Sequence, residues 1–121
     1  MNTIKKIIHA DNSDFFRKLM NSFLQKEGFE VESFENAQEA NLAISGGTVD
    51  MFIMGLTFAD IEGEELLRRA SESFSGPIIV VSSSLDKVKE ERLIAQGAKA
   101  AINKSGPWQE GLKPFLSALK G

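Results

Sequence analysis

The sequence has no cysteine and only one histidine, His9, among its 121 residues. Without cysteine it can form neither a disulfide nor a thiolate zinc site, and a lone histidine lacks the partners that a zinc site of nitrogen ligands needs. A dense stripe of lysine and arginine is also absent, and the net charge is −3. This charge balance argues against binding to nucleic acid or to an anionic membrane surface.

Long hydrophobic runs are absent too. No apolar stretch approaches the roughly 20 residues that a membrane span needs, and the short apolar run near the N-terminus ends in a charge, unlike a signal peptide. The hydrophobic share of 42% and the charged share of 26% are typical of a soluble globular protein. A chain of this length fits one domain, so we expect one cytoplasmic domain over residues 1–121.

Five short apolar runs alternate with longer amphipathic stretches. Continuous apolar runs of this length are typical of strands that are buried on both faces of a parallel sheet. The predicted strands are Ile4–Ala10, Val31–Phe34, Met51–Met54, Ile78–Val81 and Ala100–Ile102.

The stretches between these runs have helical periodicity and recognisable ends. Ser13 and Asn36 are suited to cap the first two helices, and Gly46 to end the second. Pro107 suits the first turn of a fifth helix, but Pro114 lies inside that helix and should kink it or shorten its start. The third and fourth helical patterns occupy residues 62–74 and 85–96.

Five strands that alternate with five helices predict right-handed βαβ units and a doubly wound parallel α/β fold. In such folds functional residues gather at the carboxyl ends of the strands, beside the topological switch point. The predicted strand ends bring one acid, one amide, several hydroxyls and one lysine to this edge: Asp11, Asn12, Ser13, Gly55, Ser82, Ser83, Ser84 and Lys104.

Four segments around these strand ends resemble, in order, the motifs of the bacterial response-regulator receiver domain of the chemotaxis-regulator type. IIHADNSDFFRKLMNSFLQKEGFEV resembles its opening, an apolar strand that ends in two acids and is followed by a helix with an arginine. VDMFIMGLTFADIEG, PIIVVSSS and GAKAAINKS resemble its third, fourth and fifth strands. The resemblance spans essentially the whole chain and implies a (βα)5 flavodoxin-like fold with strand order 2-1-3-4-5.

The same resemblance implies a pocket without its reactive group. The phosphoacceptor aspartate of the family falls on Gly55, and its two magnesium-binding acids fall on Asp11 and Asn12. Its switch hydroxyl is Ser82 and its phosphate-contacting lysine is Lys104. One carboxylate and one ammonium therefore remain, where a complete pocket has three carboxylates and one ammonium.

Gly55 has no side chain, whereas acyl-phosphate chemistry requires a nucleophilic carboxylate. A neutral pocket with one carboxylate should bind Mg²⁺ weakly or not at all. We therefore expect no catalytic residue, no cofactor and no enzyme activity. Asp60, five residues along the loop, should lie away from the pocket, and we interpret Asp11 and Lys104 as a salt bridge rather than a vestigial active pair.

Two further positions depart from the family pattern. Ser105 replaces the proline that follows the lysine, and a non-proline cis bond costs about 2.5–4 kcal/mol, so we predict a trans Lys104–Ser105 bond. Ala101 replaces the aromatic switch residue of the fifth strand. Near the fourth strand the sequence allows two readings: either the serines 82–84 cradle an anion, or Ser84 caps the next helix.

Three aromatic side chains are the remaining candidates for function. Trp108 is the best interface candidate, because aromatic residues at partly exposed helix starts are enriched in binding hot spots; alternatively it covers the loop after the fifth strand. Phe58 is either a lid over the pocket or an exposed anchor. His9 is interpreted as a core residue with one hydrogen bond. The resemblance also implies partner or dimer contacts through the last two helices and the last strand, which contains Ala101.

Two functions from different classes follow. The first is a phosphorylation-independent signalling module of a two-component, phosphorelay-type pathway, which binds a protein partner or a second copy and binds neither nucleic acid nor membrane. The alternative is a small-ligand or nucleotide-binding protein, or an enzyme, on the same fold. A dinucleotide site needs a glycine-rich turn after the first strand, and the turn 11–14 has no glycine.

Overall fold

The computed structural model describes residues 4–121. A five-stranded parallel sheet forms its centre, in the order β2-β1-β3-β4-β5. This confirms the predicted fold and strand order, and the strand ends differ from the prediction by at most two residues. The strands are β1 (Lys6–Ala10), β2 (Glu30–Phe34), β3 (Met51–Met54), β4 (Ile78–Ser82) and β5 (Ala100–Asn103).

Five helices flank the sheet: α1 (Asp14–Lys26), α2 (Ala37–Gly46), α3 (Gly63–Ser73), α4 (Lys87–Ala95) and α5 (Trp108–Lys120). Both predicted N-caps are confirmed. Ser13 Oγ accepts a hydrogen bond from the Phe16 N–H at 3.2 Å, and Asn36 Oδ1 accepts one from the Glu39 N–H at 3.0 Å. Within the described residues, none of these helices has the length and apolar character that crossing a bilayer requires.

Two helix ends differ from the prediction. The cap of α4 is Asp86, whose Oδ1 accepts a hydrogen bond from the Lys89 N–H at 2.7 Å, so the reading of Ser84 as this cap is wrong. Ser84 instead adopts a left-handed φ of 61° in the preceding loop. The start of α5 is not shortened by Pro114, because Trp108, Leu112 and Leu116 anchor the helix by burial on either side of the proline.

The sheet is buried on both faces, as its apolar runs predict. Alternate residues of one strand face opposite layers, so Ile7 packs beneath α1 and α5, while Ile8 packs beneath α2, α3 and α4. The same alternation separates Met51 and Ile53 from Phe52. Each strand therefore contributes to two separate core clusters.

The loop between β3 and α3 is held by two contacts. The Asp60 carboxylate accepts hydrogen bonds from the Ala37 and Gln38 N–H groups at 3.0 and 2.9 Å, which joins the loop to the start of α2. Desolvation acts to raise the pKa of Asp60, but these backbone hydrogen bonds outweigh it and lower the pKa. At the end of the loop, a Cβ on Gly63 would overlap the Leu56 backbone.

We expect Gly63→Ala to lower the free energy of unfolding by about 1–3 kcal/mol, because the added methyl group forces backbone apart. Gly46→Ala is the matched control: it also adds one methyl group at a helix end, but no atom lies within 4 Å of that Cβ. Urea denaturation of both variants measures the difference. Equal stability of the two variants would show that the loop does not pack against α3 in this way.

Candidate functional site at the carboxyl edge of the sheet

A polar pocket of about 200 Å³ lies where β1, β3, β4 and β5 end. It brings together six of the eight residues that the sequence placed at this edge, leaves out Ser13 and Ser84, and adds two neighbours. Its lining consists of Asp11, Asn12, Gly55, Leu56, Thr57, Ser82, Ser83 and Lys104. Leu56 and Thr57 directly follow Gly55, and this position in the chain was the sequence signal that could have placed them in the pocket. A larger groove of about 580 Å³ lies at the opposite edge of the sheet and contains none of these residues.

The centre of this pocket is an ion pair between Asp11 and Lys104. Lys104 Nζ lies 2.9 Å from Asp11 Oδ2, and the Asp11 side chain is only 2% exposed. The contact is not aligned as a hydrogen bond, so the attraction between the charges holds it. Asp11 Oδ1 accepts a hydrogen bond from the Ser13 N–H at 2.8 Å. Because β3 and β4 separate β1 from β5 in the sheet, the pair spans both intervening strand ends.

Gly55 makes room for this pair. A Cβ at position 55 would lie 2.9 Å from Asp11 Oδ2, which is closer than Cβ atoms approach a side-chain oxygen in folded proteins. The Asp11 carboxylate thus lies against the space that a side chain at 55 would enter. An aspartate there would have to displace Asp11 and add a second negative charge beside it.

The neighbouring polar groups are engaged by their own segments. Ser82 Oγ donates a hydrogen bond to the Ser83 carbonyl at 3.2 Å, while the Lys104 N–H donates to the Ser82 carbonyl at 2.8 Å. On the other side, Arg17 Nη1 donates to the Asp11 carbonyl at 2.6 Å. These bonds join the end of β4 to the end of β5 and the end of β1 to α1.

The residues of the pocket do not fit a resident Mg²⁺. This ion takes oxygen ligands in near-octahedral geometry and is usually bound through one or two carboxylates. Asp11 is the one carboxylate that lines the pocket, and its two oxygens already face Ser13 and Lys104. Over residues 4–121, no three acidic, histidine or cysteine side chains are grouped so that they could hold a metal.

The loop after β5 follows a route that needs no proline. Asn103 Oδ1 accepts hydrogen bonds from the Ser105 N–H at 3.1 Å and from the Ser105 hydroxyl at 2.8 Å. The Lys104–Ser105 bond is trans, as predicted, because no peptide bond in the described part of the chain is cis. The side chain of Asn103 thus closes the turn that leads into α5.

Trp108 is buried, and the prediction that it is partly exposed is wrong. Only 6% of it is accessible. Its ring meets the Phe16 and Phe23 rings of α1 edge to face, with centroids 5.0 and 5.4 Å apart. It therefore packs the start of α5 against α1. Its spacing of four from Leu112 was a sequence signal for this buried face.

Phe58 and Ala101 are both half-buried and pack against the core cluster beneath α2, α3 and α4. Phe58 is not among the residues that line the pocket, which does not support the reading as a lid, and the reading as an anchor stays a prediction for a half-buried ring. Two residues along, Asp60 ties this loop to the start of α2.

His9 is fully buried in β1, as predicted, but without the expected hydrogen bond. Neither ring nitrogen has a partner among the described residues, and the ring lies edge to face with Phe16 at a centroid distance of 5.9 Å. Burial lowers the pKa of His9 from 6.5 to about 4; the Asp11 carboxylate opposes this shift, while Lys104 and Arg17 add to it. The imidazole is therefore neutral at pH 7.

Because His9 takes up its proton more readily in the unfolded chain, the fold should lose stability as the pH falls. Above pH 6.5 His9 is neutral in both the folded and the unfolded chain, and it costs the fold no stability. Between pH 6.5 and 4 the free energy of unfolding should decline by about 1.4 kcal/mol per pH unit. We expect urea denaturation at several pH values to show this decline in the parent and a much flatter profile in His9→Leu. Parallel profiles of the two proteins between pH 5 and 6.5 would contradict the neutral, buried state of His9.

Comparison with curated sequences finds regulatory proteins. The chain is 28% identical over 87 residues to the regulatory protein VanRc of Enterococcus gallinarum, covering 69% of this chain and 38% of that protein. It is 26% identical over 98 residues to the transcriptional regulatory protein ResD of Bacillus subtilis, covering 81% and 39% respectively. The matched region thus spans about two fifths of these relatives.

Solved structures share the fold. A CheY-like response regulator receiver domain protein from Methanospirillum hungatei superposes with a TM-score of 0.86 at 24% identity, covering 98% of both chains. The signal receiver domain of a LuxO repressor protein from Vibrio parahaemolyticus gives 0.87 at 17% identity, covering 98% of this chain and 91% of that one. Residues 7–113 match the sequence profile of the response regulator receiver domain, and the chain belongs to this family.

Proposed function

We propose that this receiver domain works as a protein-interaction module whose activity does not depend on phosphorylation of an aspartate. The observation that supports this most directly is the end of β3, where Gly55 offers no carboxylate and Asp11 Oδ2 lies against the space of the missing side chain. Without a nucleophile at this place the pocket has no group to accept a phosphoryl group.

Neither nearby aspartate is suited to replace the missing acceptor. Asp60 binds two N–H groups at the start of α2, and that hydrogen bonding directs its carboxylate away from the pocket. Asp11 lies in the pocket but is 2% exposed and paired with Lys104. An attack by Asp11 would first require the pair to open, which would leave an unpaired buried charge.

We infer that the domain acts in a two-component type of pathway and binds a signalling protein or a second copy of itself. With Trp108 buried, the candidate surface comprises α4 with β5. Val88 and Ile94 of α4 are 72% and 45% exposed, and Ala101 lies half-buried on β5, the strand that packs against α4.

The net charge of −3 favours a protein partner over nucleic acid for this domain. We also propose that the domain is cytoplasmic and that it extends over the whole chain.

We expect acetyl phosphate with Mg²⁺ to leave the intact mass of the protein unchanged, because no pocket carboxylate is free to react. Mass spectrometry measures this, with Asn12→Asp/Gly55→Asp as the positive control that restores the acids of the family. An added phosphate on the parent that hydroxylamine removes would disprove phosphorylation independence.

The double variant also tests the charge balance of the pocket. Asn12→Asp/Gly55→Asp places three carboxylates around Lys104, and like charges resist burial together. We expect it to be less stable than the parent by about 1–3 kcal/mol without metal, and we expect Mg²⁺ to restore part of this loss while changing the parent little. Thermal unfolding with and without Mg²⁺ measures both effects.

Gly55→Asn is the matched control for this experiment, since it adds a side chain of the same size without charge. If it lowers stability as much as the double variant does, crowding against Asp11 rather than charge is responsible. A double variant as stable as the parent would refute the charge argument. An unstable variant that ignores Mg²⁺ would show that the pocket has lost the geometry of the family.

A further inference from the structure

A cluster of rings lies directly beneath the Asp11–Lys104 pair. Its centre is Phe16, near the start of α1 and 5% exposed. The Lys104 ammonium lies over this ring, 4.4 Å from its centroid. The His9 and Trp108 rings contact it at 5.9 and 5.0 Å, both edge to face. Phe16 therefore touches the cation of the pocket, β1 and the start of α5 at once.

The cluster continues along α1. Trp108 is the first residue of α5, and it contacts Phe23 as well as Phe16. These two phenylalanines are seven residues apart and so lie on the same face of α1, two turns from each other. The start of α5 is thus docked on α1 through aromatic contacts, one of which involves the ring that the Lys104 ammonium covers.

We propose that Phe16 couples the pocket to the packing of α5 on α1. With the Asp11–Lys104 pair closed, the ammonium is held over the Phe16 ring. Opening the pair, by neutralising Asp11 or by an anion that draws Lys104 away, removes the cation from the ring. Because the interior is close-packed, the ring then shifts against Trp108 and alters the docking of α5. This route uses α1 and does not need an aromatic residue at Ala101.

Two unique side chains report on this route without added labels. Trp108 is the only tryptophan and His9 the only histidine of the chain, and they contact Phe16 from different sides. Tryptophan fluorescence therefore observes the α5 side of Phe16, and the NMR signal of the histidine ring observes the β1 side. Neither readout depends on whether the domain is phosphorylated.

The test is a double-mutant cycle between the pocket and the ring. We expect Asp11→Asn, and likewise Lys104→Met, to shift the Trp108 emission maximum, to increase its quenching by acrylamide and to move the His9 ring signals. In a Phe16→Leu background the Asp11→Asn shift of the Trp108 emission should fall to less than half. Lys99→Met is the matched control, since it removes a lysine at the opposite end of β5, and it should change neither signal.

Two outcomes of the variant measurements would overturn the proposal. One is an Asp11→Asn effect on the Trp108 emission that is as large with Phe16→Leu as without it. The other is a Lys104→Met variant whose Trp108 and His9 signals match those of the parent.

A measurement on the unaltered protein covers the case in which a variant fails to fold. Protons on the face of a ring are shielded, so the Lys104 ε-methylene signal should lie upfield of that of Lys99. Coinciding signals would show that the ammonium is not held over Phe16, and the proposed route would then have no starting point.

Discussion

The arrangement of the pocket depends on the ion pair between Asp11 and Lys104. A carboxylate that is 2% exposed needs a partner, because removing one member of a buried pair typically costs about 3–5 kcal/mol. Lys104 reaches it across the ends of β3 and β4, and a glycine at the end of β3 leaves the space that the Asp11 carboxylate uses. The glycine that offers no carboxylate at the end of β3 is thus the same residue that leaves room for the Asp11–Lys104 pair.

The scaffold around this pair does not depend on the acids that the family uses for chemistry. Two apolar clusters, one on each face of the sheet, hold the strands in register. Asp60 and Gly63 fix the loop after β3, while Ser13 and Arg17 fix the turn after β1. A receiver fold can therefore persist with a neutral pocket, since the core and the caps supply its stability and the pocket adds a bridge between strands.

The buried aromatic cluster joins the start of α5 to the pocket and removes Trp108 from the protein surface. Trp108 does not offer an exposed side chain to a partner; it docks α5 on α1 and, through Phe16, contacts the Lys104 side of the pocket. Val88 and Ile94 of α4, which belong to the proposed partner surface, are two of several exposed apolar side chains, and others lie on α1 and α2. In this proposal α4 contacts the partner, whereas α1 and α5 are coupled to the pocket.

The sequence by itself determined the parallel sheet, the first two helix caps and the set of residues at the carboxyl edge, since apolar runs, capping side chains and strand ends are local properties of the chain. It also placed Asp60 away from the pocket and favoured the Asp11–Lys104 pair. Only the tertiary structure decided that Trp108 is buried, that His9 has no hydrogen-bond partner among residues 4–121 and that Asp11 lies against the space beside Gly55. Each of these depends on contacts between segments distant in sequence, and local patterns contain no information on which side chain of one element fills the space left by another.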